Sequence, residues 1–362
     1  MRQCNLDANR LGLILSESGF DVPAYLERNG DIDATGDAIG LIARHLVEGG
    51  VSERRPIIFR SVRGFVAFLH AIGSSPPHEQ LALARCAAAG WQAWQTPMRN
   101  TAQDLWPEMT ALADGFAARG IQPVFVAGDS HSEVYTGRAV ADLDVAAFWL
   151  LCSGGSARGL PNARSISGYG AAIRKHRPAP GVPLILHFGQ VDVEFVYYYQ
   201  VATAERREIS LIDLIDFIDS TVTSYFRFVD EMASPDLLLS AIFPPALSDE
   251  HVNEGSINAH IAVLNSNRDV TALQAALATV VFPGLEVRTA LHYRLNLELK
   301  KGARARGLRF IDPFKDLLDG GRVKPALDRA GGRDHHLDVE AVAAILARHL
   351  KAALEPPPAA QA

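Results

Sequence analysis

After Gly120 the sequence alternates between short, β-rich apolar runs and longer segments with helical periodicity, and this alternation constrains the fold more than any other feature. The apolar runs are PVFVAG (123–128), LDVAAFWLL (143–151), VPLILHFG (182–189), PDLLLSAIFPP (235–245) and LRFIDPF (308–314). The helical patterns that follow them cover 209–232, 287–307 and 337–354. Strands that alternate with helices predict an α/β domain with a parallel sheet covered on both faces. In such a sheet, functional residues collect just past the carboxyl ends of the strands.

The first third of the chain is different, because its signals are helical only. Apolar residues recur at every third or fourth position in 37–50, 78–94 and 104–120. We therefore predict a helical N-terminal region at 1–120, an α/β domain at 121–354 and a disordered tail rich in Pro and Ala at 355–362. The N-terminal helices are candidates for a lid, a partner-binding surface or a homo-oligomer interface.

Composition excludes several classes of protein. A net charge of −6 over 362 residues gives no basic footprint, and the basic run from Lys300 to Arg306 is interpreted as a solvated helix end, so we expect no nucleic-acid partner. Cys4, Cys86 and Cys152 are widely spaced, which disfavours both a disulfide framework and a thiolate zinc site. The start of the chain does not resemble a signal peptide, and no apolar run is long enough to span a membrane. The expected location is therefore the cytoplasm.

A serine follows the first predicted strand directly. The sequence there is Gly128-Asp129-Ser130-His131-Ser132-Glu133. A glycine lets the chain leave the strand sharply, and a serine at the start of the next helix would lie near backbone N–H groups that can stabilise an oxyanion. A helix cap by Ser130 or Ser132 explains the same residues without chemistry.

Polar residues also follow the third strand and precede the last helix. Gln190 and Asp192 come after the apolar run at 182–189, and Asp334, His335 and His336 come before the helix at 337–354. A histidine with a nearby acid has the composition of a general base and its orienting partner. Solvated loops, with histidines on the surface, are the alternative. A serine triad requires spatial rather than sequence adjacency, so the roughly 200 residues between the two ends are no obstacle.

These segments together resemble the SGNH (GDSL-like) hydrolases. VFVAGDSHSEVY is similar to the first block of that family in its GDSH variant, and HHLD before a closing helix is similar to its last block. The stretches 154–165 and 187–195 resemble a bacterial subgroup associated with glycan-related gene products. The resemblance covers about residues 121–354 and implies a flavodoxin-like three-layer sandwich with a parallel sheet, preceded by the helical region.

The resemblance implies a role for each matching residue. Ser130 would be the nucleophile and would contribute its N–H to the oxyanion hole. His336 matches the family histidine, because a leucine and then a capping residue, Asp338, follow it. Asp334 would fix the tautomer of His336. Gly159, after the second strand, would donate a second N–H to the oxyanion.

The third block departs from the family pattern. It normally carries an asparagine that completes the oxyanion hole, but Val191 occupies that position. The loss of one such donor costs about 2.7–4 kcal/mol of transition-state stabilisation, so a substitute is required. Asn162 and Gln190 are the candidates.

The acid departs as well. The family places it three residues before the histidine, where this chain has Arg333, and Asp334 is one residue closer to His336. Asp192 would replace Asp334 if it approached His336, and a Ser–His dyad is the remaining alternative.

The leading hypothesis is a serine esterase that acts, without metal or cofactor, on O-acyl groups of a carbohydrate or a similar small ester. Transfer of the acyl group to a sugar is a variant of the same chemistry.

Two other hypotheses belong to different classes. A metal-dependent phosphoesterase would take its ligands from Asp129, His131, Asp192 and the pair His335–His336. A catalytically weakened glycan-binding protein would use Trp149, the tyrosines 197–199 and the N-terminal helices as an interaction surface.

Overall fold

The computed structural model of the chain describes residues 7–32, 36–95, 102–165, 167–204, 209–254 and 270–355. The predicted disordered tail lies outside these residues apart from its first position, so it stays a prediction.

The described elements follow the order that the sequence predicts. The α-helices are α1 (Ala8–Glu17), α2 (Val22–Arg28), α3 (Ala38–His45), α4 (Val62–Ala71), α5 (Pro77–Gln95), α6 (Ala102–Ala117), α7 (Arg138–Ala141), α8 (Tyr169–Lys175), α9 (Tyr197–Thr203), α10 (Leu211–Met232), α11 (Val270–Ala278), α12 (Leu285–Ala305) and α13 (Val339–Leu354). The strands are β1 (Gln122–Gly128), β2 (Val145–Leu151), β3 (Leu184–His187), β4 (Leu237–Ser240), β5 (Arg309–Ile311), β6 (Leu318–Asp319) and β7 (Arg322–Val323).

The main sheet has five strands in the order β2-β1-β3-β4-β5, which is the flavodoxin-like order. β3 pairs with β4 and β4 pairs with β5, both in parallel. Every residue of β2, β3 and β4 is buried, as expected for a sheet with helices on both faces. The predicted α/β fold class is therefore confirmed, and each of the five predicted runs contains a strand.

By internal packing the chain divides into two compact units. One comprises Met1–Phe125 and Tyr135–Leu150, and the other comprises Val126–Val134 and Leu151–Ala362. The first unit thus groups the N-terminal helices with β2. The predicted boundary at residue 120 stays a prediction.

In the first unit, helix α5 covers β2, the edge strand of the sheet. The Gln95 side chain donates to the Ala147 carbonyl oxygen at 2.9 Å and accepts the Trp149 N–H at 2.7 Å. Trp91 adds a hydrogen bond from its indole N–H to the same carbonyl at 3.0 Å. An exposed edge presents unpaired N–H and C=O groups to other strands. The amide of Gln95 satisfies these groups as a neighbouring strand would.

In the second unit, the core is built on the leucine-rich register of β3 and β4. Leu184, Ile185 and Leu186 lie opposite Leu237, Leu238 and Leu239. Helix α12 packs on β4, β5 and α10. It approaches α10 closely because Gly302 has no side chain, and an added Cβ would overlap the Phe226 ring.

No helix within the described ranges is both long and apolar enough to cross a bilayer.

The substitution Leu239→Ala tests the core of the second unit. Leu239 is 0% exposed on β4, so we expect the free energy of unfolding to fall by about 2–5 kcal/mol. Leu297→Ala is the matched control, because Leu297 is 47% exposed, and we expect a change of about 0.5 kcal/mol or less. Urea denaturation followed by circular dichroism measures both, and equal losses in the two variants would contradict the packing described.

Candidate functional site

Ser130 lies at the carboxyl end of β1, where the chain turns sharply into a 3₁₀ helix, Ser130–Thr136. A Cβ on Gly128 would lie 2.6 Å from the Cβ of Ser132 and 2.8 Å from the His187 carbonyl oxygen, so only glycine fits. Ser132 closes the turn, because its N–H and its hydroxyl donate to the Asp129 carbonyl oxygen at 3.1 and 2.6 Å. Ser132 therefore has the turn-forming role that the sequence left open for either serine.

His336 lies in the loop before α13, and this loop is anchored at both ends. Asp338 caps α13 by accepting the Ala341 N–H at 2.9 Å. At the other end, the Gly332 carbonyl accepts the Ser248 N–H at 2.9 Å. Gly332 has φ +77°, and a Cβ there would lie 2.8 Å from the Cβ of Ser248. The loop is therefore held close to the protein surface.

The two loops meet at a hydrogen bond between Ser130 and His336, which are 206 residues apart. The Nε2 of His336 lies 2.8 Å from the Oγ of Ser130, and its Nδ1 lies 2.9 Å from Oδ1 of Asp334. Because the carboxylate accepts the Nδ1 proton, the neutral imidazole presents a lone pair at Nε2, and the serine hydroxyl donates to it. The structure thus brings Ser130, His336 and Asp334 together in the order of a triad.

The acid is held ionised by the histidine. The hydrogen bond from the His336 side chain lowers the pKa of Asp334 well below its ordinary value, against the opposing effect of burial. Oδ1 of Asp334 also accepts the backbone N–H of His336 at 2.9 Å. Asp334 therefore accepts two hydrogen bonds from His336. These two bonds explain how the Asp-x-His spacing still orients the His336 ring, although it is one residue shorter than the spacing in the SGNH pattern.

The same arrangement occurs a second time beside Ser130. Oδ1 of Asp129 accepts the backbone N–H of His131 at 2.9 Å and lies 2.8 Å from its Nδ1. The two Asp-x-His motifs face each other, since the rings of His131 and His336 have centroids 4.9 Å apart. The difference is burial: His131 is 3% exposed, whereas the His336 side chain is 12% exposed.

His131 belongs to a buried cluster with Glu194 and His292. Oε2 of Glu194 lies 3.7 Å from Nε2 of His131, and Oε1 lies 3.7 Å from Nε2 of His292. Burial raises the pKa of Glu194 to about 7 and lowers that of His292 to about 3. Burial also opposes the charged form of His131, but the carboxylate of Asp129 outweighs it and the pKa of His131 is raised. A cluster of titratable groups thus lies directly behind the serine turn.

Gln190 is part of the protein framework. Its Oε1 accepts the Phe243 N–H at 3.0 Å, and its Nε2 donates to Glu194 at 3.0 Å. It therefore connects the segments that follow β3 and β4, and both its amide oxygen and its amide nitrogen form hydrogen bonds within the protein.

Asp192 is directed to the loop after β2. Its carboxylate accepts the N–H groups of Ala157 and Arg158 at 2.6 and 3.2 Å. Burial raises the pKa of Asp192 to about 7. Asp334 is the acid at His336, and Asp192 fixes the 157–158 loop.

The other predicted oxyanion donors are also engaged elsewhere. The Gly159 N–H donates to the hydroxyl and the carbonyl of Ser156, at 3.0 and 3.1 Å. Asn162 is exposed, and its Oδ1 accepts the Arg164 N–H at 3.0 Å. Val191 is buried and packs on Phe195. The Gly159 N–H and the Asn162 side chain therefore each have a hydrogen-bond partner in their own loop, and their assignment as oxyanion donors stays a prediction.

The residues named for the two alternative functions are brought together only in part. Trp149, Tyr197 and Tyr198 are buried, so they form no glycan-binding face. Within the described residues, the group of metal-ligating side chains consists of His131, His335 and His336, and the carboxylates proposed for a phosphoesterase are absent from it.

Sequence reasoning assigned no role to Glu194 or His292, and it considered His131 only as a metal ligand. The signal that was available for His131 is the repeated Asp-x-His spacing at 129–131 and 334–336. No short motif in the sequence connects Glu194 with His292, because the two residues are 98 positions apart in the chain.

The substitution Asp192→Asn is predicted to change the pH dependence of stability. In the folded protein the pKa of Asp192 is raised from 3.8 to about 7, so between these values the folded chain keeps a proton that the unfolded chain releases. The stability of the wild type relative to the variant therefore falls as pH rises from about 4 to about 7, and then levels off. Urea denaturation across this range measures the difference. Asp216→Asn, an exposed aspartate on α10, is the matched control, and a pH-independent difference for Asp192→Asn would refute the prediction.

No protein-family model and no curated protein match the chain. Solved structures do match it. A Streptococcus pneumonia protein provisionally described as a platelet activating factor is 14% identical, with 73% of this chain and 95% of that chain covered and a TM-score of 0.43.

A GDSL-like lipase from Bacteroides thetaiotaomicron is also 14% identical, with 67% of this chain and 94% of that chain covered and a TM-score of 0.35. An extracellular lipase from Streptomyces rimosus is 12% identical, with 64% and 99% covered and a TM-score of 0.36. The solved structures to which the chain is similar thus include a GDSL-like lipase and an extracellular lipase, and the resemblance to a glycan-associated subgroup stays a prediction.

Proposed function

We propose that this protein is a serine esterase that cleaves carboxylic esters through an acyl-enzyme, with Ser130, His336 and Asp334 as the triad. The observation that supports the proposal is the unbroken line of hydrogen bonds from Ser130 Oγ through His336 to Asp334, at 2.8 and 2.9 Å. A serine hydroxyl is a weak nucleophile until a general base accepts its proton.

In the acylation step, Ser130 Oγ attacks the ester carbonyl carbon while its proton moves to Nε2 of His336. The carbonyl oxygen becomes the oxyanion of the tetrahedral intermediate. His336 then donates the proton to the departing alkoxide, and the acyl group remains on Ser130. Asp334 stays ionised and stabilises the imidazolium, because its two hydrogen bonds from His336 hold it in place.

In the deacylation step, water repeats the chemistry in reverse. His336 accepts a proton from the water, the hydroxide attacks the acyl carbon, and the proton returns to Ser130 Oγ as the carboxylic acid leaves. A sugar hydroxyl would react in the same way, and the product would then be a new ester. Hydrolysis and O-acyl transfer therefore share the acyl-enzyme and differ only in the acceptor.

The oxyanion hole is the weak part of the site. The Ser130 N–H is the first of a helical turn, where N–H groups have no partner within the helix, so it is the proposed donor. The family asparagine is absent, and Val191 is packed in its place. Because one missing donor costs about 2.7–4 kcal/mol, we expect slow turnover of simple esters.

The proposed substrates are O-acyl groups of a carbohydrate or of a similar small ester. This assignment is supported by the sequence resemblance of 154–165 and 187–195 to the glycan-associated subgroup. Release of acetate from acetylated oligosaccharides, compared with p-nitrophenyl acetate, tests the preference.

The substitution Ser130→Ala is predicted to abolish covalent labelling by a fluorophosphonate. We also expect it to remove the burst with p-nitrophenyl acetate and to lower kcat by on the order of 10³-fold or more. Labelling and the burst in the wild type should persist in EDTA, since no step uses a metal.

Ser16→Ala is the control, because it removes an exposed serine hydroxyl on α1 and leaves the residues of the turn at Ser130 unchanged. Labelling that persists in Ser130→Ala, or a wild type that is folded but neither labels nor shows a burst, would overturn the proposal. Circular dichroism of each variant verifies that a loss is not due to unfolding.

The substitution Asp334→Asn is predicted to lower kcat by about 10²–10⁴-fold while the fold is preserved. An amide at this position no longer selects the tautomer that presents the Nε2 lone pair to Ser130. Steady-state hydrolysis of p-nitrophenyl acetate measures the effect.

Asp338→Asn, four positions along the same loop, is the matched control. Asparagine caps a helix as well as aspartate does, so this variant should retain activity. Equal losses in the two variants would indicate a loop defect and would exclude a specific role for Asp334.

A further inference from the structure

His131 has the geometry of a metal-ligating histidine, and the esterase mechanism does not use it. Its Nδ1 is bonded to Asp129 at 2.8 Å, so Nε2 is the ring nitrogen that faces away from that carboxylate. Histidine ligands of metals are typically oriented in this way by a carboxylate on the other ring nitrogen. His336 has the same relation to Asp334.

The Nε2 of His131 has no hydrogen bond to another described residue, although the ring is buried. Oε2 of Glu194, 3.7 Å away, also lacks a hydrogen bond within the described part of the chain. This separation is too long for a hydrogen bond, and buried polar atoms without partners are rare in proteins. A ring nitrogen without a hydrogen bond, next to a carboxyl group, is a favourable environment for a metal ion, which would displace any proton on that nitrogen.

Two further nitrogen donors lie close to this position. Ligand atoms of His131, His335 and His336 all lie within 4.8 Å of one another. Tetrahedral zinc with nitrogen ligands at about 2.0–2.1 Å places them about 3.4 Å apart, so the ligand atoms need to approach one another by at most about 1.4 Å. The side chains of His335 and His336 are each 12% exposed, which gives an ion access from the solvent.

The charge around the three histidines suits a divalent cation. Asp129 and Asp334 are bonded to two of the rings, and Glu194 lies beside His131. Three imidazoles with an open fourth position select zinc or a similar transition metal, and disfavour magnesium and calcium, which require oxygen ligands.

We propose that His131, His335 and His336 bind one divalent transition metal ion of the zinc type, and that the bound ion competes with Ser130 for Nε2 of His336. Metal binding depends only on the histidines. The competition rests on the proposed function, because it removes the base that accepts the serine proton. The ion is thus a reversible inhibitor of the esterase, and a chelator restores activity.

Zinc binding to tag-free protein, freed of metal by dialysis against EDTA, tests the site independently of activity. Competition with a zinc-sensitive dye should show one ion per chain. We expect His131→Gln and His335→Gln each to weaken binding by at least about tenfold. His335→Gln is included because it alters a less buried ring and is the safer variant for folding. His70→Gln, an exposed histidine on α4, is the control and should bind as the wild type does.

Substitution by Co²⁺ gives a second readout, since a tetrahedral nitrogen site produces intense visible absorption. These bands should be lost in His131→Gln and in His335→Gln. The inference is overturned if the wild type takes up no stoichiometric ion, or if both variants bind zinc as tightly as the wild type.

Fluorophosphonate labelling with and without zinc separates this inference from the proposed function. Zinc should slow labelling of Ser130, and EDTA should restore the rate. Stoichiometric zinc binding in a protein that never labels supports the metal site and refutes the esterase. Labelling without any zinc binding supports the esterase and refutes the metal site.

Discussion

The whole site depends on the close approach of two backbone turns, one after β1 and one before α13. Each turn requires a glycine, because a Cβ on Gly128 or on Gly332 would collide with neighbouring atoms. The hydrogen bond between Ser130 and His336 exists only because both turns are held in place, the first by Ser132 and the second by the cap of Asp338. The reactive groups are therefore positioned by the fold and not by the flexible reach of long side chains.

Burial explains the altered pKa values of the ionisable groups next to the Ser130–His336 hydrogen bond. Asp129, His131, Glu194 and His292 are all withdrawn from water, where an isolated charge is costly. A charge-assisted hydrogen bond between Asp129 and His131 offsets this cost for that pair. For Glu194, burial instead raises the pKa to about 7, which favours the uncharged carboxyl group. The two Asp-x-His motifs thus have different environments. His336 is hydrogen-bonded to the hydroxyl of Ser130, whereas His131 is buried in the protein interior.

Sequence reasoning succeeded where the signal was local. The five strands were predicted because buried parallel strands are continuous apolar runs, and the turn at Ser130 was predicted from Gly128 and the residues after it. It could not show that Gln190 and Gly159, the predicted oxyanion donors, form hydrogen bonds to Phe243, Glu194 and Ser156 in the fold. Whether a polar group is already bonded depends on neighbours that are distant in the chain.

The sequence by itself determined the α/β alternation, the strand positions and the candidate pair Ser130 and His336, since these depend on periodicity and on short motifs. Only the tertiary structure decided that Asp334, and not Asp192, orients His336. Asp334 is hydrogen-bonded to the His336 ring, whereas Asp192 accepts a backbone N–H from the loop after β2. It also decided the grouping of His131 with His335 and with Glu194. Hydrogen bonds and burial act over a few ångströms, and only folding brings residues 206 positions apart within that range.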